Sequence, residues 1–129
     1  MGKARKPKKP RRDETREKRI EMEIVVDAYT EEERAMRWYY YLEDKLHFPF
    51  LTHCIHTRAT SPLRLGDEVQ VVGMAPEDEC DREIFVETLC EPDWTLAVAL
   101  SQLEVTQGDE ETKQAVEDWR YWVEMGYEF

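Results

Sequence analysis

Residues 30–50 read TEEERAMRWYYYLEDKLHFPF, and this stretch decides the architecture. Thr30 followed by Glu33 reads as a capping box: the hydroxyl can accept from the backbone N–H of Glu33 while that carboxylate reaches back, so a helix is expected to start here. Ala35, Met36, Tyr39, Leu42 and Leu46 line one face of it, and Pro49 forces its end. The run Trp38-Tyr39-Tyr40-Tyr41 covers about the full circumference of a helix, so its rings cannot all meet one core. Some must face a sheet and others a first helix or a partner chain. A helix held between two layers satisfies this; an exposed ligand platform or a homodimer contact are the alternatives.

Working upstream, Asp13 to Tyr29 carries a mixed signal. Ile20, Ile24 and Ala28 repeat at four residues, while Ile20, Met22, Ile24 and Val26 alternate as in a strand. Charged residues of high helix propensity favour a helix. Downstream of Pro49 the composition changes to short β-like runs: Phe50 to His56, Val69 to Met74, Ile84 to Leu89 and Trp94 to Leu100. Turn residues such as Ser61-Pro62, Gly66-Asp67, Pro76 and Pro92 separate them. Four or five short strands at this spacing suggest a small barrel or a strongly bent sheet. Gln107-Gly108-Asp109 breaks the pattern, and Asp109 can cap a last helix on which Ala115, Val116, Trp119, Trp122 and Val123 repeat at helical spacing, with Gly126 placed to stop it. The expectation is therefore an α+β fold: two N-terminal helices, a small antiparallel barrel and a C-terminal helix.

Charge is divided unevenly along the chain. Residues 1–12 carry seven Lys/Arg and no acid, and residues 13–129 hold eleven bases against 29 acids, a formal charge of −18. The first segment has too little to bury and is expected to be a disordered basic tail; the remainder, with 41% apolar residues overall, suffices for a single domain. Lys3, Arg5, Lys6, Lys8, Lys9, Arg11 and Arg12 could neutralise phosphates weakly and without sequence preference, or contact the acidic body, or simply solubilise the chain. The acidic body argues against a nucleic-acid binder. No apolar region follows the basic residues and no run approaches a membrane span, so a cytoplasmic protein is expected. Cys54, Cys80 and Cys90 cannot all pair within one chain, which suits a reducing compartment. His53, Cys54 and His56 form a local set for zinc, against which stands the plainer reading of residues on alternating strand faces with Cys54 in the core.

So dense a set of carboxylates destabilises a compact state unless something neutralises it, and a divalent cation is the simplest candidate. Glu77-Asp78-Glu79-Cys80-Asp81 is the densest cluster and lies in an expected turn between two apolar runs. Glu77, Asp78, Glu79 and Asp81 can supply half of a calcium shell, which takes six to eight oxygens and tolerates irregular geometry. It is not an EF-hand, because counting from Glu77 puts Arg82 where glycine is required and Thr88 where the bidentate Glu belongs. The alternative is a solvated surface turn. Glu43-Asp44 sits at the unfavourable end of a helix dipole, which a bound cation would relieve, and Asp44 would bridge to the turn if the ion lay between helix and sheet; Lys45 and solvent are the competing screen. No GxSxG, HExxH, phosphate-binding glycine loop or Ser-His-Asp arrangement is present, and His47, His53 and His56 have no evident nucleophile, so a non-enzymatic role is expected.

The stretch Ile24-Val25-Val26-Asp27-Ala28-Tyr29, then Glu32, Ala35, Met36, Trp38-Tyr39-Tyr40-Tyr41-Leu42-Glu43-Asp44 and Phe48-Pro49-Phe50, resembles the bacterial CcbP-type calcium-binding family. Ser61-Pro62-Leu63, Gly66-Asp67-Glu68-Val69, Val72-Gly73-Met74-Ala75, Leu100-Ser101-Gln102-Leu103, Asp118-Trp119, Tyr121-Trp122 and Gly126-Tyr127 extend the resemblance from about residue 20 to the end. It implies helices around an SH3-like barrel, calcium bound without EF-hands, and a role in calcium buffering or signalling. It also supports Asp44 and the acidic turn as the positions to carry over as ligands; the basic tail is extra relative to the family core. The rival is an SH3-like interaction module whose acidic face engages a basic protein.

Overall fold

Thr30 Oγ1 accepts from the amide of Glu33 at 3.1 Å and Glu33 Oε1 accepts from the amide of Thr30 at 3.1 Å, completing the capping box. The computed structural model describes residues 11–80, 82–90 and 94–127; of the basic tail expected to be disordered, residues 1–12, all but Arg11 and Arg12 lie outside the described residues, as do Asp81, 91–93 and 128–129. Helix α1 spans Glu14–Arg19, and Asp13 caps it by accepting from the amide of Arg16 at 2.9 Å. It continues into a π-helical turn, Ile20–Ile24. Ile20 and Ile24 are buried while Met22 is 62% exposed, so the four-residue spacing prevails over the alternation. The helix stops short of the expected Tyr29 because Asp27 turns the chain in the left-handed region (φ 58°), which a short polar side chain tolerates.

Helix α2 runs Glu31–Lys45. Its buried residues are Ala35, Trp38, Tyr39 and Leu42, with Met36 only half-buried, so the buried stripe is rotated toward Trp38. The cause is helix α3, Glu110–Glu124, which presents Trp119 and Trp122 with ring centroids 5.1 and 5.6 Å from Trp38. Tyr39, on another face, donates its hydroxyl to the carbonyl of Ala75 at 2.7 Å. The expected helix between two layers is thus what forms, with Tyr41 half-buried and Tyr40 half-exposed. The helix ends before Pro49 acts: Leu46 takes an extended conformation, and the next amide, that of His47, donates to Thr112 Oγ1 at 3.0 Å.

The strands are β1 (Phe50–Cys54), β2 (Glu68–Met74), β3 (Phe85–Cys90), β4 (Trp94–Ala99) and β5 (Leu103–Gln107). All pairings are antiparallel and the order is β4-β3-β2-β1-β5. Thr52 lies opposite Val69 of β2 and Val105 of β5, and the register shifts at Leu51/Thr52 and at Val71/Gly73. Among the described residues β4 and β5 do not pair with each other, so the antiparallel sheet expected is present and is open in its hydrogen bonding. β5 is an additional strand beyond the four runs read from the sequence. It follows β4 through a 3₁₀ turn, Leu100–Gln102, which carries the chain to the other end of the sheet, beside β1. Phe50, Thr52 and Cys54 point inward from β1, Val69 and Val71 from β2, and Val86 and Thr88 from β3. The core that results reaches from Ile20 to Tyr121 and joins the helices to the sheet.

Asp109 caps α3, accepting from the amide of Thr112 at 2.8 Å. At the other end Gly126 is left-handed (φ 82°), its amide bonds the carbonyl of Val123 at 3.0 Å, and that of Tyr127 bonds Trp122 at 3.2 Å. This is a Schellman ending, and the Trp122 and Tyr127 rings, 4.8 Å apart, supply its usual apolar contact. Asp118, fully buried on α3, accepts from Arg19 Nη2 at 2.7 Å and Nε at 3.2 Å and lies 3.4 Å from Arg16 Nε. The hydroxyl of Tyr41 is 3.4 Å from the same carboxylate, so one charge ties α1 and α2 to α3.

Candidate metal site

The acidic turn follows directly from how its ends are held. Ala75 and Cys80 are buried, and between them Pro76 and a 3₁₀ turn, Glu77–Glu79, push three consecutive carboxylates into solvent. The amide of Glu79 donates to the carbonyl of Pro76 at 2.9 Å and that of Cys80 to Glu77 at 3.0 Å. Cys80 Sγ, 3.4 Å from the amide of Phe85 and 3.6 Å from its carbonyl oxygen, pins the turn to the start of β3. Asp81, expected as a further ligand, lies outside the described residues.

Helix α2 meets this turn through adjacent tyrosines. Tyr39 holds the main chain at Ala75, and the hydroxyl of Tyr40 donates to Glu77 Oε2 at 2.7 Å. Burial, with Glu43 next and Glu77 further down, pushes the Tyr39 phenol up to about 12. Tyr40 is also raised, first by its hydrogen bond to Glu77, with Glu43 adding to the field. Glu43 and Glu77 therefore act on the same two phenols.

Asp44 is turned to another neighbourhood. Its carboxylate is 78% exposed and 3.9 Å from Lys45 Nζ, and it adds to the field that raises His47. His47 Nδ1 pairs with Asp109, its Nε2 lies 3.1 Å from Glu111 Oε1, and Lys45 Nζ lies 3.4 Å from Glu111 Oε2. Glu43 is thus the carboxylate of α2 on the side of the turn, and Tyr40 is its partner at i, i+3 on one helix face. Sequence reasoning paired Glu43 with Asp44 but did not single out Tyr40; that three-residue spacing was the available signal. Of the local zinc set, Cys54 is core and donates to the carbonyl of His56 at 3.1 Å, while His53 points outward to Glu104 at 3.2 Å.

The donor set is composed of hard oxygens, which fits calcium and not a thiolate-seeking metal. Among the described residues, no three His, Cys, Asp or Glu side chains converge as a finished shell, so Glu77, Asp78 and Glu79 do not close one by themselves.

Fold and turn together define a small, acidic α+β protein that displays hard oxygen donors on a pinned turn. A family model described as calcium binding, of the CcbP type, matches residues 18–123. The crystal structure of Anabaena CcbP is 45% identical, covering 93% of this chain and 98% of that one, with a TM-score of 0.82. A second structure, described as a calcium binding protein in the calcium-binding form, is also 45% identical, covering 92% of this chain and 96% of that one, with a TM-score of 0.81. No curated protein sequence matches the chain. The chain belongs to the CcbP-type calcium-binding family.

Proposed function

We propose that this chain is a non-enzymatic, cytoplasmic calcium-binding protein that buffers calcium or takes part in calcium signalling. The observation that carries the reading is 45% identity over 92% of the chain to a protein described in its calcium-binding form. In this reading Glu77, Asp78, Glu79 and Asp81 provide oxygens from the turn between β2 and β3, Glu43 adds to them from the end of α2, and Asp44, whose side chain lies by Lys45 here, has to turn toward them to join the shell. Calcium bound there neutralises carboxylates that repel one another, which is what a chain with 29 acids gains from a cation. The strand order, with a 3₁₀ turn carrying β5 across to β1, supports an SH3-like arrangement as the scaffold. Residues 13–129 form the calcium-binding domain.

Calorimetric titration of chelator-stripped protein with calcium, repeated in millimolar magnesium, tests this. Saturable binding that survives magnesium is expected, because the larger ion accepts an irregular oxygen shell that magnesium rejects. Glu43→Gln and Asp44→Asn, titrated separately, decide which acid of α2 joins the shell: a several-fold loss is expected for a ligand, and unchanged affinity removes that residue from the site. No saturable heat and an unchanged melting temperature on adding calcium would leave the carboxylates as a solvated face.

A further inference from the structure

We propose that Tyr40 is a positioning residue for the calcium-binding turn, holding the carboxylate of Glu77 so that its second oxygen faces the ion. The inference rests on the reading of that turn as the calcium site. Two adjacent tyrosines on α2 grip the turn at two levels: Tyr39 bonds the main-chain carbonyl of Ala75 at its base, and Tyr40 bonds the side chain of Glu77 at its first acid. Tyr39 is buried, as a structural phenol would be, whereas Tyr40 is 50% exposed and spends its hydroxyl on a solvent-facing carboxylate. A hydrogen bond at such an exposed place contributes little to folding. Its geometric effect is larger.

Glu77, Asp78 and Glu79 are consecutive like charges on one exposed turn, so the flexible carboxylate of Glu77 is driven away from its neighbours when nothing restrains it. The O–H···O⁻ bond from Tyr40, at 2.7 Å, is charge-assisted and holds one oxygen of Glu77 in place. A carboxylate fixed through Oε2 keeps Oε1 free, and hydrogen-bonded carboxylate ligands lose affinity when the supporting partner is removed, by about 10–100-fold in metal sites generally. Tyr40 belongs to a helix anchored by Trp38 in the core, so the restraint is referred to the rigid part of the molecule.

The test is a double-mutant cycle on calcium affinity, using Tyr40→Phe, Glu77→Gln and both together, with the melting temperature of each calcium-free protein measured alongside. Tyr40→Phe should weaken calcium binding by about tenfold with little change in melting temperature. Glu77→Gln should weaken it at least as much, and adding Tyr40→Phe to that variant should cost almost nothing more, because the phenol acts through Glu77. Unchanged affinity in Tyr40→Phe, or a full additive loss in the double variant, would overturn the inference while leaving the proposed site intact. If Glu77→Gln itself binds as wild type, the turn is not the site, and both readings fall.

Discussion

His47 shows what a single side chain decides at one joint of the molecule. A carboxylate stands at each ring nitrogen, Asp109 at Nδ1 and Glu111 at Nε2, so both contacts are made as hydrogen bonds only by the imidazolium. The hydrogen bond to Asp109, outweighing some desolvation, raises His47 above its ordinary 6.5. The same bond from His47, followed by the amide and hydroxyl of Thr112, holds Asp109 at about 2, below its ordinary 3.8. The His47 contribution to stability is then complete below 6.5 and is lost as pH rises through its raised folded value. The Asp109 contribution is present above 3.8 and is lost as pH falls toward 2, so the pair is strongest between 3.8 and 6.5. Denaturant unfolding of wild type and His47→Gln across this range should show a gap that is largest near pH 5.5 and closes on the alkaline side; a constant gap would show that the ring acts by packing alone. At this scale the sequence was readable where the chemistry is local. Thr30, Glu33 and Asp109 were visible as caps because their partners lie within three residues, whereas His47 and Asp109 are 62 positions apart and no spacing rule connects them.

Among the elements, α1 is the one whose place depends most on charge. It buries no residue of its own, and Arg16 and Arg19 reach Asp118 of α3 instead. Removing that carboxylate leaves two guanidiniums, each about a fifth exposed, against the site it vacated. Asp118→Ala should therefore cost about 3 kcal/mol, the lower end of what breaking a buried pair costs, because the arginines can partly turn to water. Hydrogen exchange should find the loss concentrated in α1, and equal protection of its amides in variant and wild type would show that Ile20, Ile24 and the hydrogen bonds of Tyr121 and Tyr127 to Glu17 hold the helix without Asp118. The periodic elements were legible: α2, α3 and four strands lie where apolar spacing put them. β5 was not, because Leu103–Gln107 follows the 3₁₀ turn with no Gly or Pro between them to mark a boundary. The acidic turn was visible as composition; its tie to α2 was not, since it depends on how the helix is rotated by Trp119 and Trp122.

At the scale of the whole molecule, like-charge repulsion stands against the core. Residues 13–129 carry a formal −18, and monovalent salt screens exposed charges at separations beyond about 8–10 Å at moderate ionic strength. The melting temperature of the calcium-free protein should rise by a few degrees between low salt and about 0.5 M salt; a flat or falling response would mean that the ion pairs around Asp118 and His47 outweigh the general repulsion. Closure of the sheet, by contrast, could not be judged from strand spacing, because pairing order is set by where the 3₁₀ turn sends β5. The open order has one further effect. β4, WTLAVA, ends the sheet among the described residues and carries no lysine, proline or charged side chain within its own span, the usual devices that discourage a second strand from being added. The like charge of the whole body opposes association at that edge, so a cation that neutralised those carboxylates would firm the individual molecule while lowering its colloidal stability.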